Sequence, residues 1–542
     1  MKIFFDSKLI LLLIILLALI LRVYKLDTIP ASLNPDEAAL GYTSFSFLRS
    51  LGDEHGKFLP LSLQSFGDWK LPVYSYITTI PVALFGLNEF STRFVSALSG
   101  VIGVLLIYFI GLLLFKKRGI AYLSSFFYAL SPWGIYFSRG AYEVNLATTI
   151  FLAGLLTFIK YILSDKKNEK ILIFSSLLFG LTLFTQHNYI IFTPFFVLSL
   201  VIIFRKAIRK NKSSFITAGI FVFFIIASYF SITVGGSNKI STLVVFNDKN
   251  IIYERAEKLR GDNANKNKFL ERILHTKYLV GFYQIGQNYL NSFSPSFLFD
   301  KGGEKLVHNL GYFGNFYLFD ALLFFVGFSL LFWNREKSLM VFLPWLFLAP
   351  IASAVTRDSP NSTRLFTIMP LFVLIASYGA YQILLFFKKR SIRSFVAKAA
   401  LIFLFFLNVI YFIDAYFVHL NTQRIRFWRY GYREAVYLTQ SYPGYNVVMR
   451  GPENFPYIYF LFYEKYDPLK FRKEAVYYPP TSEGFYYVKS FGRYQFVDKI
   501  DYSNAAQNTI YIDDTRLDDK NHSIFLPSGE PILGYYAKED KR

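Results

Sequence analysis

Long apolar blocks alternate with short charged clusters along this chain, a rhythm that fits helices crossing a bilayer. The first block, Leu9 to Leu21, is short enough to raise the question of a cleaved leader. No small-x-small cleavage site follows it, and Ile3 to Phe5 with snorkelling Lys8 and Arg22 lengthen it into a retained first span. Further spans are expected at about 90–115, 120–137, 145–163, 171–187, 189–204, 215–234, 315–333, 338–355, 365–387 and 395–414, eleven with the first.

The stretch 71–87 breaks this pattern. It is apolar but short, holds Pro72 and Pro81, and places Ser75, Thr78 and Thr79 among its apolar positions, so it is expected to lie as a helix in the outer interface. With eleven spans, the basic connectors Lys116-Lys117-Arg118, Lys166-Lys167 with Lys170, Arg205 to Lys212, Arg335 with Lys337, and Lys388 to Arg393 all share the side of Lys2 and Lys8, which is the positive-inside arrangement. A twelve-span alternative counts 71–87 as a crossing and puts the N-terminus outside; only Lys2 and Lys8 speak against it. The eleven-span reading leaves 22–88, 138–144, 235–314, 356–364 and a tail from 415 to 542 outside. In the tail, Arg433 to Gln440 reads as helix and Tyr445 to Met449 as strand, so the expected organisation is a membrane domain over 1–414 and a small extracytoplasmic α/β domain over 415–542.

Composition agrees with a polytopic α-helical membrane protein: 54% of the 542 residues are hydrophobic and 20% aromatic. The net charge of +21 comes largely from clusters between apolar blocks, where Lys and Arg set topology and meet anionic lipid; no nucleic-acid-binding motif accompanies them. Cysteine is absent, which excludes disulfides, thiol nucleophiles and thiolate metal sites.

Against this background Asn34-Pro35-Asp36-Glu37, just past the first span, stands out. Carboxylates beside a bilayer are costly in lipid and tend to face water or a cavity at a working site. An ordinary solvated Pro-Asp turn accounts for the four residues equally well.

The ordered set Asn34-Pro35-Asp36-Glu37, Gly67-Asp68-Trp69-Lys70-Leu71-Pro72-Val73-Tyr74, and Phe85-Gly86-Leu87-Asn88-Glu89-Phe90 with Arg93 resembles the first outer loop of the protein O-mannosyltransferase and aminoarabinose transferase families. These are enzymes of the glycosyltransferase C superfamily that use polyprenyl-phosphate sugars. The resemblance continues through Phe137-Ser138-Arg139 with Tyr142-Glu143, Tyr289-Leu290 to Leu298-Phe299 followed by His308, and Arg364-Leu365-Phe366 with Pro370. It implies about eleven transmembrane helices, interfacial helices in the first outer loop, and a catalytic group of Asp36, Glu37 and Glu143. Asp36 would be the base that takes the acceptor hydroxyl's proton, with Glu37 in support and Glu143 orienting the acceptor or Lys70. Lys70, Arg364 and Arg139 would meet the donor phosphate, whose charge grows as it leaves, and His308 and Asp68 would touch substrate.

Plainer readings stand beside these. Lys70 and Arg364 could be snorkelling anchors, Glu143 a carboxylate complementing a helix dipole, and His308 a solvated loop residue. Asn361-Ser362-Thr363 fits a glycosylation sequon, and Gln186-His187-Asn188 lies at a tight outer turn without an assigned role. No cluster has metal-ligand spacing, and inverting sugar transfer requires neither metal nor cofactor. The expected activity is transfer of one sugar, a hexose such as mannose or similar, from a polyprenyl-phosphate donor in the plasma membrane to a protein, lipid or envelope-glycan acceptor on the outer face. The alternatives are a multi-span transporter or flippase, against which stand the odd span count and the lack of repeated halves, and a polymerase or ligase of lipid-linked glycans.

Overall fold

The computed structural model describes residues 7–208, 212–234, 245–247, 252–261, 269, 273–388, 391–481, 484–514 and 522–538. Every apolar block holds a helix: Ser7–Val23, Glu89–Phe115, Arg118–Leu130 followed by Pro132–Ser138, Glu143–Leu163, Glu169–Thr182, His187–Ile203, Lys212–Val234, Leu318–Trp333, Leu339–Leu348, Met369–Phe386 and Ile392–Asp414. Among the described residues, five continuous helical stretches are long and apolar enough to cross a membrane: Glu89–Phe115, Glu143–Leu163, Lys212–Thr233, Ser362–Phe386 and Ile392–Gln423. The others are shorter.

The chain forms two compact units, each assembled from separate stretches. One comprises Met1–Leu21, Ser99–Tyr136 and Val144–Phe412; the other comprises Arg22–Leu98, Phe137–Glu143 and Ile413–Arg542. This division is not a cut at 414, because the stretches 22–98 and 137–143 are compact with the tail.

The first unit is helical, and its helices approach closely where small residues allow it. A Cβ on Gly327 would lie 2.1 Å from the carbonyl oxygen of Ile375, and one on Gly379 would lie 2.1 Å from that of Leu323. Leu318–Trp333 and Met369–Phe386 therefore meet backbone to backbone, the way bilayer helices gain packing energy when water no longer drives them together. Elsewhere rings fill the space: Phe151 has Tyr189, Phe192, Phe196 and Trp345 within 5.0–5.9 Å. The Trp345 indole N–H is satisfied by the Thr367 carbonyl at 2.8 Å.

In the second unit a seven-stranded sheet has the order β4-β5-β6-β3-β7-β9-β8, with β3 Asn446–Arg450, β4 Val476–Tyr477, β5 Val488–Phe491, β6 Tyr494–Val497, β7 Thr509–Asp513, β8 Ser523–Phe525 and β9 Pro531–Lys538. β3 runs parallel to both β6 and β7, and the remaining pairs are antiparallel. Val447 and Met449 alternate into one core as the strand pleat requires, while Val448 packs against a smaller cluster formed by Ile500, Ala505 and Tyr511. The larger core also contains Leu33, Ala38, Ala39 and Tyr42 from the start of the chain, beside Tyr457 to Phe462 of the tail helix Tyr457–Tyr463. Helix Pro35–Ser50 presses close on that helix at Gly41, where a Cβ would come within 2.6 Å of the Phe462 ring. This shared core is why residues 22–98 and the tail are one unit.

Candidate active site

The site begins with a helix N-terminus. Asn34 caps Pro35–Ser50: its side-chain oxygen accepts from the Glu37 N–H at 3.0 Å, and Glu37 Oε2 accepts from the Asn34 N–H at 3.1 Å. This reciprocal box satisfies two otherwise orphaned donors, and Pro35 supplies the preset φ of the first helical position. Within the same turn the two adjacent acids part company.

Glu37 is fully buried. Its Oε1 accepts from Arg93 Nε at 3.0 Å and from the Ala141 N–H at 2.8 Å. Arg93, equally buried, also donates to the carbonyls of Leu26, Pro30 and Ser32 at 2.6–3.0 Å and lies 5.7 Å from the Trp428 ring. Glu37 and Arg93 thus tie together 26–37, the turn 137–143 and the start of Glu89–Phe115. Asp36 faces outward instead, its side chain 68% exposed. It stays in place because Lys70 Nζ lies 2.8 Å from its Oδ1 and 3.2 Å from its carbonyl oxygen.

Lys70 is presented by a hairpin of β1 Leu63–Ser65 and β2 Asp68–Lys70, with Ser65 opposite Asp68 and Leu63 opposite Lys70. The two loop residues, Phe66 and Gly67, both have positive φ (60° and 83°), the combination of a type I′ turn that matches strand twist. Gly67 has no substitute here, since a Cβ would lie 2.1 Å from the Gly484 carbonyl oxygen. Lys70 itself is nearly buried, its ammonium 5.3 Å from the Phe66 ring. Asp68 opens β2, and its side chain lies outside the described residues. From β2 the chain enters Val73–Phe85, which buries Ser75 and Thr78 and leaves Ile80 and Leu84 exposed, the two-sided character expected of an interfacial helix.

Glu143 begins Glu143–Leu163 and is partly buried. Its charge reaches Tyr74: burial first, then the Glu37 and Glu143 carboxylates, push that phenol well above its ordinary range. Arg139 does not stand open as a phosphate ligand would. It is fully buried, its Nη2 donates to the Ile29 and Lys25 carbonyls at 2.9 and 3.2 Å, and the guanidinium lies 4.7 Å from the Phe417 ring. Burial lowers its pKa from the usual arginine value.

The structure therefore brings Asp36, Glu37, Lys70, Arg139 and Glu143 into one unit and places Arg364 and His308 in the other. There Arg364 Nη1 donates to Thr356 Oγ1 at 3.0 Å and is ion-paired with Asp358. Lys305 meets the same carboxylate at 3.0 Å. Burial alone would raise the Asp358 pKa, but the Arg364 and Lys305 charges override it and hold the carboxyl well below the usual range. His308 and Lys305 line a cavity of about 60 Å³ with Asp358, Asn361 and Ser362.

Several residues take roles that sequence patterns did not signal. Arg93 pairs with Glu37, Asp358 pairs with Arg364, and Asn188 of Gln186-His187-Asn188 donates to the Arg364 carbonyl at 2.9 Å. Asn361 corrects the sequon reading: it is 5% exposed, caps Ser362–Leu365 by accepting from the Thr363 and Arg364 N–H groups, and donates to Asp358 at 3.0 Å. An amide so engaged is not open to a modifying enzyme.

Residues 70–232 match the family described as dolichyl-phosphate-mannose-protein mannosyltransferase. No curated protein matches the chain. Among solved structures, ArnT from Cupriavidus metallidurans bound to undecaprenyl phosphate superposes with a TM-score of 0.50 at 10% identity, covering 97% of each chain. Apo ArnT from the same organism gives 0.49 at 10% identity, covering 83% of this chain and 84% of that one. The archaeal oligosaccharyltransferase AglB from Archaeoglobus fulgidus, in complex with an inhibitory peptide and a dolichol-phosphate, gives 0.49 at 12% identity, covering 84% of this chain. This chain spans 63% of AglB's length. Over nearly its whole length, therefore, the chain shares its fold with ArnT, and residues 70–232 carry the mannosyltransferase family match.

Proposed function

We propose that this protein transfers one sugar from a polyprenyl-phosphate donor to a hydroxyl-bearing acceptor at the outer surface of the plasma membrane, by a single inverting displacement. The observation that carries the reading is the Asp36–Lys70 pair: an exposed carboxylate and an ammonium 2.8 Å apart, set on a buried frame beside the helix Val73–Phe85. The acceptor O–H gives its proton to Asp36 as its oxygen bonds to the anomeric carbon. The bond from that carbon to the donor phosphate oxygen breaks, and the polyprenyl phosphate leaves with its charge facing Lys70. Fixed charges in a preorganised frame cost no reorganisation at that moment, which is what the network of Glu37 and Arg93 supplies.

Glu37 and Arg139, grouped from sequence with the base and the phosphate ligands, are assigned here to positioning, since both Glu37 oxygens and Arg139 Nη2 are engaged within the frame. Glu143 is assigned to orienting the acceptor, Arg364 to a second phosphate contact, and His308 and Asp68 to substrate contact. Eleven crossings with Lys2 and Lys8 inside put Asp36 and the tail outside, where a lipid-linked donor replaces nucleotide sugars. The undecaprenyl phosphate in the ArnT structure supports the donor class, and the mannosyltransferase match over 70–232 supports a hexose.

The test is binding of a purified polyprenyl phosphate to the reconstituted protein. Lys70→Ala should weaken it by one charge-assisted bond, about 1.5–3 kcal/mol or roughly ten- to a hundred-fold. Lys70→Arg should restore part of the loss, because a planar fork replaces a compact ammonium imperfectly. If neither Lys70→Ala nor Arg364→Ala binds more weakly, the phosphate site lies elsewhere and the assignment fails.

A further inference from the structure

Helix Lys277–Asn291, in the first unit, is sharply two-sided. Tyr278, Leu279, Phe282, Tyr283 and Leu290 are all exposed, Phe282 and Leu290 at 65% each, and their spacing puts them on one stripe. The opposite face is fastened down. Buried Asn288 donates from Nδ2 to the carbonyls of Ala354 and Thr356 at 3.0 and 3.1 Å. Val280 joins a small core with Val245, Ile252 and Ala256, and Gly281 makes room for the Phe246 ring, which a Cβ would meet at 2.3 Å. The helix cannot roll its apolar stripe inward without breaking these contacts.

Three observations say what covers the stripe. Cations flank its aromatic residues: Lys277 Nζ lies 5.1 Å from the Tyr278 ring, and Arg255 of the neighbouring helix Glu254–Gly261 lies 5.5 Å from the Tyr283 ring. Lysine and arginine at the border of a Tyr/Phe/Leu face complement lipid phosphates above acyl chains. The tyrosines have the apolar body and polar tip of residues that collect at membrane surfaces. Finally, Tyr289 donates to the Phe347 carbonyl at 3.1 Å, within the apolar helix Leu339–Leu348, where Phe347 is itself exposed. The stripe is thus continuous with the lipid-facing surface of a helix read as part of a crossing.

We propose that Lys277–Asn291 is a membrane-surface anchor lying in the headgroup region of the bilayer, with its Tyr278–Phe282–Leu290 stripe turned into the lipid. That the leaflet is the outer one rests on the topology proposed above; lipid contact itself does not.

Because the chain has no cysteine, Phe282→Cys and Leu290→Cys can each carry one polarity-sensitive fluorophore in vesicles of phosphatidylcholine and phosphatidylglycerol. Emission should shift to the blue, and quenching should be strongest with nitroxide lipids labelled near the top of the acyl chain, matching insertion of about 5–10 Å. A label at exposed Glu257 should remain open to aqueous iodide. Iodide quenching of the Phe282 and Leu290 labels as strong as that of the Glu257 label would overturn the proposal. So would shielding that grows with protein density and ignores lipid quenchers, which would mean a second copy covers the stripe. An impermeant maleimide on oriented vesicles reads the side of Glu257→Cys separately, so a wrong leaflet would refute the topology while the anchor stands.

Discussion

Asp36 and Glu37 are neighbours with the same chemistry and opposite environments, and that contrast divides their predicted phenotypes. Asp36→Asn removes the proposed base from an exposed position while keeping shape and the helix start, so turnover should fall by about 10² to 10⁴ with thermal stability near wild type. Near-normal turnover in a donor-to-acceptor transfer assay would remove Asp36 from the mechanism. Glu37→Ala leaves the Arg93 guanidinium buried without its carboxylate, a loss of about 3–5 kcal/mol for a buried pair broken on one side. Its signature is a lower unfolding midpoint in detergent, seen before any assay of transfer. Arg139 follows Glu37 in this respect: alanine there should cost stability through the freed Ile29 carbonyl rather than donor affinity.

At the scale of elements, the helix that carries Asp36 is held by the tail. Tyr459 donates to the Leu33 carbonyl at 3.0 Å, Tyr42 donates to the Tyr466 carbonyl at 3.0 Å, and Arg472 reaches Ser46 and Ser50 at 2.9 Å. Gly41 is the close approach in this packing, with a would-be Cβ 2.5 Å from Thr92 Oγ1. Gly41→Ala should therefore cost about 1–3 kcal/mol by overpacking and reduce turnover beyond what the lost stability explains, because the whole Asp36 helix must shift. Unchanged kinetics in a folded Gly41→Ala protein would show that the helix position is not critical. A pH effect belongs to the loop after this helix. Burial of His55 would lower its pKa, but the contact with Glu54 at 3.3 Å and the Glu54 and Asp53 charges outweigh burial and raise it above 6.5. A raised histidine stabilises fully below its unfolded pKa and loses that contribution as pH climbs through the folded value. The unfolding midpoint should accordingly drop as pH rises from about 6.5, and His55→Gln should flatten the dependence.

For the whole molecule the decisive measurement is sidedness. A cysteine at exposed Lys57 should react with an impermeant maleimide from outside, and one at exposed Lys117 should not. The reverse pattern would sink the eleven-span arrangement and extracytoplasmic chemistry together. Much of this architecture was legible because hydrophobic blocks and helix signals are local: each expected block holds a helix, Arg433 to Gln440 lies in the observed helix Tyr432–Gln440, and Tyr445 to Met449 overlaps strand β3 from Asn446 onward. The site was legible only in part. Residue types and order singled out Asp36 and Lys70, which the structure pairs at 2.8 Å, and the Asn34–Glu37 spacing is itself a local capping box. Nothing local says that Arg93, 56 positions away, would take Glu37 out of solvent, that Asp358 would claim Arg364, or that carbonyls of 25–29 would occupy Arg139. Nor does the chain show in advance that the segment after the first helix and the tail would share one core, since that core joins residues some 400 positions apart, such as Leu33 and Tyr459. The sequence by itself determined the membrane class, the helical blocks and the chemistry on offer, because these follow from the hydropathy and conformational preferences of neighbouring residues. Only the tertiary structure decided which carboxylate stays exposed and which charges are spent on the frame, because burial and pairing depend on what distant segments bring to the same few ångströms.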